Sequence, residues 1–260
     1  MSQPSFLDLP ARPPKPRLAG LTLVIDGGIP VDEAASILAS GAASIDVWKM
    51  GWGSSYLDTQ LAAKLDLLVQ HAVMACPGGT LLEVAALQGR TAECLDWMAD
   101  VGFPCIEVSD GLGRLDAADK ATLIADASRH AIVIAEVGAK DPKSVLTPDQ
   151  WAHLAQADLD AGATWVLAEG RESGTVGIFN SDGRVRTDVI DALLTVVEPH
   201  QVVFEAPRKD QQAWFIRHLG SDVNLANVAP RDAVGVEALR LGLRADTTMA
   251  ILGQPANTRR

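Results

Sequence analysis

Four glutamates in this chain each close a short apolar run: Glu107, Glu136, Glu169 and Glu205. Lys49 closes a fifth, Ile-Asp-Val-Trp-Lys. Apolar runs rich in β-branched and aromatic residues read as strands buried on both faces, so a charge at the end of such a run marks a strand tip. Because side chains alternate along a strand, Ile132, Ile134 and Glu136 share a face. The same rule groups Trp165, Leu167 and Glu169, then Val203 and Glu205, then Cys105, Glu107 and Ser109. Carboxylates on adjacent strand ends that align around one mouth lie within about 5 to 8 Å, and like charges that close resist joint ionisation, so something positive must sit among them. Two readings follow. Oxygen donors with no His or Cys nearby suit Mg²⁺, with Glu107, Glu136, Glu169 and Glu205 as ligands. In the other, each Glu pairs with a local Lys or Arg and the network only closes the end of the sheet.

Lysine chemistry depends on the same neighbourhood. A lysine among carboxylates keeps its proton and can deliver it to a carbanion, whereas one outside them is a surface charge. Lys49 stands on its strand and Lys140 follows the Glu136 tip, so both are candidate catalytic groups. Arg171 and Arg208, just past two strand ends, can clamp a carboxylate or phosphate bidentately or form loop salt bridges. Gly78-Gly79-Thr80 at a helix start can offer backbone amides to an anion, and Thr80 and Glu83 have capping-box spacing. Asn227 and the helix start at Arg231 follow the last strands, where barrels often bind phosphate. The five histidines, His71, His130, His153, His200 and His218, fall on helices or their ends and read as structural. The tryptophans read mostly as core or rim.

The elements that must position these groups recur regularly. Strands are expected at 21–26, 44–50, 72–76, 105–110, 131–136, 164–169, 201–205 and 224–228. Helices are expected over 31–40, 57–70, 91–101, 116–130, 148–161, 187–197, 210–219 and 231–243. Strands and helices alternating at a period of about thirty residues give a closed (β/α)8 TIM barrel of the α/β class, a single domain over 18–250. The alternative, an open doubly wound sheet, lacks its fingerprint, because Pro30 follows Asp26-Gly27-Gly28-Ile29 where a further glycine belongs. Residues 1–17, proline-rich, read as an extended arm that packs on the barrel or on a second copy in a homo-oligomer, and 251–260 read as a tail. The connection over 170–183 is the longest and reads as a mobile lid.

Composition narrows the functions. The 260 residues are 48% hydrophobic, enough for a large core. A net charge of −11 without any basic run argues against nucleic acid. No apolar run approaches the roughly 20 residues that span a bilayer, and no signal-peptide order opens the chain. A soluble cytoplasmic protein that does not engage membranes is expected. Cys76, Cys94 and Cys105 show no metal-ligand spacing and read as reduced thiols.

In order, the tips read Val24-Ile-Asp26, Lys49-Met-Gly-Trp52-Gly53, Pro77-Gly78-Gly79-Thr80-Leu81 and Glu107-Val-Ser-Asp110-Gly111. They continue with Glu136-Val-Gly-Ala-Lys140-Asp141-Pro142, Arg171-Glu172-Ser173-Gly174, Phe204-Glu205-Ala-Pro207 and Glu237-Ala-Leu-Arg240. Together they resemble the phosphosulfolactate synthase family over residues 15–248. The resemblance implies a TIM-barrel carbon–sulfur lyase of sulfonate and coenzyme M biosynthesis. Such an enzyme joins sulfite to phosphoenolpyruvate with Mg²⁺ and gives (2R)-2-phospho-3-sulfolactate. It implies small anionic substrates held by Asp26, Gly78, Gly79, Arg171, Ser173, Arg208 and Asn227. It also implies sulfite addition to the methylene carbon, an enolate stabilised by Mg²⁺ on the carboxylate, and protonation of C2 by Lys49 or Lys140. The chain departs from the family pattern at Gly27, Ala226 and Ala245, where the family carries lysine, glycine and glycine. The missing lysine leaves the anion site one charge poorer, so restoring it at position 27 is expected to tighten phosphoenolpyruvate binding. Two alternatives stand beside this reading: a barrel enzyme acting on a different anionic acid, including an unphosphorylated one, and a non-catalytic stress-associated protein.

Overall fold

A computed structural model describes residues 6–113, 115–138 and 146–253. Its strands are β1 (Thr22–Asp26), β2 (Val47–Met50), β3 (Met74–Pro77), β4 (Cys105–Val108), β5 (Ile132–Val137), β6 (Trp165–Ala168), β7 (Val202–Glu205) and β8 (Asn224–Val228). Parallel ladders join them in the ring order β3-β2-β1-β8-β7-β6-β5-β4. This is the (β/α)8 TIM barrel expected from the alternation. Inside it, Leu21, Leu23, Val47, Cys76, Cys105, Ile134, Trp165, Leu167, Val203 and Ala226 form one apolar cluster. The opposite strand faces, among them Val24, Trp48, Ile106, Val133, Val166 and Phe204, pack under the helices in a second and larger cluster. Large side chains buried this way each contribute about 1.5–3 kcal/mol.

The ring has a seam. β3 and β4 stand side by side without a ladder among the described residues, and Pro77, which ends β3, has no amide to donate toward β4. Side chains close the gap instead. The Gly79 amide donates to Glu107 Oε1 at 2.9 Å, and Glu83 accepts from the Ser109 hydroxyl and from the amides of Gly111 and Leu112. That use of Glu83 corrects the capping box expected at Thr80. Thr80 lies inside α4 (Thr80–Leu87), Gly79 holds the N-cap position, and no side chain caps the helix.

The other helices are α1 (Val31–Gly41), α2 (Ser54–Leu57), α3 (Leu61–Gln70), α5 (Thr91–Val101), α6 (Ala117–Ala127), α7 (Pro148–Asp160), α8 (Thr187–Val196), α9 (Lys209–Leu219), α10 (Ala233–Arg240) and α11 (Ala245–Leu252). Local chemistry sets their starts. Thr147 and Gln150 form a capping box with Pro148 at the first helical position of α7, and Asp116 accepts from the Asp119 amide at the start of α6. Where a single helix was expected over 57–70, Asp58 interrupts it and pairs with Lys64 at 2.6 Å. Beyond α10, Gly242 in the left-handed region (φ 70°) turns the chain into α11, which the sequence pattern did not disclose.

The proline-rich segment before β1 lies across the N-terminal end of the barrel. There Arg12 binds Asp222, Glu237 and the Gly20 carbonyl, Lys15 donates to the Ala42 carbonyl, and Arg17 faces Asp46 at 3.3 Å. All three cysteines are free.

Candidate active site

At the opposite, C-terminal end of the strands lies a cavity of about 400 Å³. Its wall includes Lys49, Glu107, Glu136, Glu169, Glu205 and Asn227 from strand tips, and Gly78, Gly79, Arg171 and Ser173 from the loops that follow. The period-2 alternation delivers the charges: Val47, Cys105, Ile134, Leu167 and Val203 face inward, so Lys49, Glu107, Glu136, Glu169 and Glu205 do too.

Lys49 sits at the centre of the charge network and is buried. Its Nζ lies 2.8 Å from Glu107 Oε2 and 3.5 Å from Glu205 Oε1. The Glu107 contact is a close, buried ion pair. Burial alone would lower the ammonium pKa, but the charges of Glu107, Glu205 and Glu136 outweigh it and raise the pKa well above the ordinary lysine value. Lys49 is therefore a fixed cation at neutral pH. The remaining oxygens of its two partners hold loops: Glu107 Oε1 takes the Gly79 amide, and Glu205 Oε2 takes the amides of Gly170 and Arg171 at 2.9 and 2.8 Å. Glu107 and Glu205 thus each link Lys49 to a loop bordering the cavity.

Asn227 is held in the left-handed region (φ 54°), and its Oδ1 is buried without a hydrogen-bond partner among the described residues. Such an atom costs about 1–3 kcal/mol unless something fills its acceptor site. Arg171, also left-handed (φ 54°), lies 3.6 Å from Glu169. The described wall carries five carboxylates (Glu107, Glu136, Glu169, Glu172, Glu205) against two cations (Lys49, Arg171), so it is strongly acidic. No three of the described His, Cys, Asp or Glu side chains converge on one point that would hold an ion. The donor set still fits a hard cation, since Mg²⁺ is usually held by one or two carboxylates with substrate and water completing its shell. Glu136 and Glu169 stand on the same wall, the Glu136 charge acting on Lys49 and Glu169 facing Arg171.

Two of the substrate-binding residues expected from sequence are not on this wall. Asp26 is buried outside the barrel, in the helix layer. Its Oδ1 accepts from the amides of Gly28 and Ile29 and its Oδ2 from Trp48 Nε1 and Lys64 Nζ. The inward residue at that tip is Ile25, one position earlier. Arg208 lies over Gly183 and 3.7 Å from Asp210, away from the cavity. Lys140 lies outside the described residues. The wall adds the side chains of Ile25, Trp52, Thr80 and Glu172, none of which was named from sequence as a substrate or metal ligand. A signal was available for Trp52 and Glu172, which follow strand tips directly.

Parallel strands that pool a buried lysine and several glutamates at their C-terminal ends define a barrel protein with an acidic ligand-binding mouth. The chain belongs to the (2R)-phospho-3-sulfolactate synthase (ComA) family, which it matches over residues 10–246. It is 38% identical over 244 residues to the phosphosulfolactate synthase of Bacillus subtilis, covering 93% of this chain and 97% of that protein. It is 39% identical over 234 residues to that of Methanocaldococcus jannaschii, covering 88% and 93%. The solved 3-hexulose-6-phosphate synthase of Salmonella typhimurium superposes with a TM-score of 0.56 at 13% identity, over 90% of this chain and 99% of that one, and shares the fold alone.

Proposed function

We propose that the protein adds sulfite to phosphoenolpyruvate and forms 2-phospho-3-sulfolactate, making a carbon–sulfur bond. The observation that carries this reading is the fixed Lys49 cation on the floor of the mouth, in a chain that belongs to this family over nearly its whole length. The sulfur lone pair forms a bond to the methylene carbon, and the double-bond pair moves onto C2 and into the adjacent carboxylate. C2 then takes a proton; nothing leaves, so the reaction is an addition. Lys49 faces the developing carboxylate charge as a preorganised cation. With its proton held this tightly, it yields that proton only to a base as strong as the C2 carbanion. Lys140 is the second lysine the reading offers for that transfer.

A trianionic substrate cannot enter an acidic mouth without added positive charge. Mg²⁺, when bound, supplies it as a Lewis acid at the substrate carboxylate, and Glu136 and Glu169 would hold the ion. Asn227 Oδ1 and Ser173 offer polar contacts to the substrate or its waters, and the Gly78-Gly79 backbone and Arg171 border the same space. The same reading puts the reaction in sulfonate biosynthesis, toward coenzyme M, in a cytoplasmic homo-oligomer. Among the described residues no helix is long and apolar enough to cross a membrane.

The test is direct. Purified protein with phosphoenolpyruvate, sulfite and Mg²⁺, followed by phosphorus NMR, should show a new phosphate ester that fails to form when sulfite is omitted. No product at millimolar substrates rejects the reading in favour of another anionic acid or a non-catalytic role.

A further inference from the structure

The mouth is crossed by a bond that the reaction does not explain. Trp52 follows β2 and Glu172 follows β6, four strands apart in either direction around the ring and so on opposite sides of the cavity. Trp52 Nε1 donates to Glu172 Oε1 at 2.9 Å, although Trp52 is 53% exposed and Glu172 is exposed too. Both ends are built at a cost. Trp52 itself (φ 52°) and Arg171, the neighbour of Glu172 (φ 54°), lie in the left-handed region that L side chains rarely adopt. Such backbone persists only where the surroundings impose it. Gly27 makes room for the indole, because a Cβ there would collide with the Trp52 ring.

On the β6 side the loop is fixed at both flanks. The amides of Gly170 and Arg171 bind Glu205, and the Gly174 carbonyl accepts from Gln211 Nε2 at 2.8 Å. Between those anchors Glu172 and Ser173 reach over the cavity, and Trp52 holds them from the far side. We infer that the Trp52–Glu172 hydrogen bond is a latch across the mouth. It must open to admit the anionic substrate, and on reclosing it positions Arg171 and Ser173 over the bound molecule. A single exposed hydrogen bond favours the closed form by only about five- to tenfold, which suits a contact that opens in each cycle. Trp52 and Glu172 are positioning residues in this account, which rests on the mouth being the substrate pocket.

Two measurements separate the latch from that premise. Amide hydrogen exchange of residues 171–176 in the ligand-free protein needs no substrate. Trp52→Phe, which keeps a ring over Gly27 but loses the N–H, and Glu172→Ala should each speed exchange by about five- to tenfold. The double variant should exchange no faster than either single one, and Glu172→Gln, which keeps an acceptor oxygen, should restore most of the protection. Unchanged exchange in Trp52→Phe, or effects that multiply in the double variant, would overturn the latch whatever the mouth binds. With phosphoenolpyruvate and sulfite, the same two single variants should raise KM by about twofold, because the latch closes the free protein as well as the complex and its loss costs both, while changing kcat less. If exchange responds but KM does not, the latch stands as a contact and its role over the substrate is refuted. If the unaltered protein forms no product, the functional reading fails while the exchange result still decides the latch.

Discussion

Arg240 at the N-terminal end of the barrel and Lys49 at the C-terminal end are both buried cations, and they are neutralised differently. Arg240 donates to the carbonyls of Ser221, Val223 and Leu21 and to the Thr22 hydroxyl, groups whose positions the backbone fixes. Burial pushes its guanidinium down to about 9, so it remains charged at neutral pH. Asn224 works beside it in the same way, accepting from the Leu21 amide and donating to the carbonyls of His200 and Val202. Lys49 instead faces carboxylates from separate strands, which also tether the loops bordering the cavity. Desolvating a charge is costly at either end. Carbonyl partners turn that cost into a closed and rigid bottom. Carboxylate partners create a top whose charges act together on whatever enters.

The sharpest way to break this comparison is to remove each cation. Lys49→Met should lower kcat/KM by about a thousandfold, the scale of losing one preorganised charge in a site. Arg240→Met should instead reduce unfolding free energy by about 1–3 kcal/mol for each buried carbonyl left unpaired, with kcat of the folded protein little changed. Urea denaturation and turnover on both variants check this, and a large kcat loss in Arg240→Met would show that the two ends are not separate in role.

The carboxylates at the top divide in the same manner. Glu169→Gln should raise the Mg²⁺ concentration needed for half-maximal rate by at least about tenfold, as expected when a metal's immediate environment is altered. Glu205→Gln should raise it less, because Glu205 serves Lys49 and the 170–171 amides. Equal shifts in the Mg²⁺ titrations would return Glu205 to the ligand set.

Acidity offers a third comparison. The carboxylates raise the Lys49 pKa, so its contribution to stability is fully present below the ordinary lysine value of about 10.4 and is lost only as pH rises through the still higher folded value. NMR of selectively labelled lysine should therefore show no Lys49 titration between pH 6 and about 10. A midpoint near 9 would mean that the carboxylates do not hold it.

The smallest effect concerns Gly27. Restoring the lysine of the family pattern was expected from sequence to tighten phosphoenolpyruvate binding, but the Trp52 ring occupies that space. Gly27→Lys and Gly27→Ala should each cost about 1–3 kcal/mol of overpacking and shift Trp52 fluorescence. Calorimetric titration should show no gain in phosphoenolpyruvate affinity for Gly27→Lys; a gain would show that Trp52 yields at little cost.

The sequence by itself determined the barrel, because alternation of buried strands and amphipathic helices is a local property repeated along the chain. It also determined that Lys49, Glu107, Glu136, Glu169 and Glu205 share one mouth, since each is in phase with the apolar residues two and four positions before it or lies at the same tip. Asp26 was expected from sequence to hold substrate, and only the ring of neighbours shows which phase faces inward: Ile25 pairs with Lys49 across β1 and β2, so Asp26 turns toward the helices. Pairing was the part only the tertiary structure could decide. Asp26 meets Lys64 38 positions away, Trp52 meets Glu172 120 away, and Arg240 meets Leu21 219 away. No local pattern specifies such contacts, because they depend on how the barrel closes and which charge burial brings within reach of another.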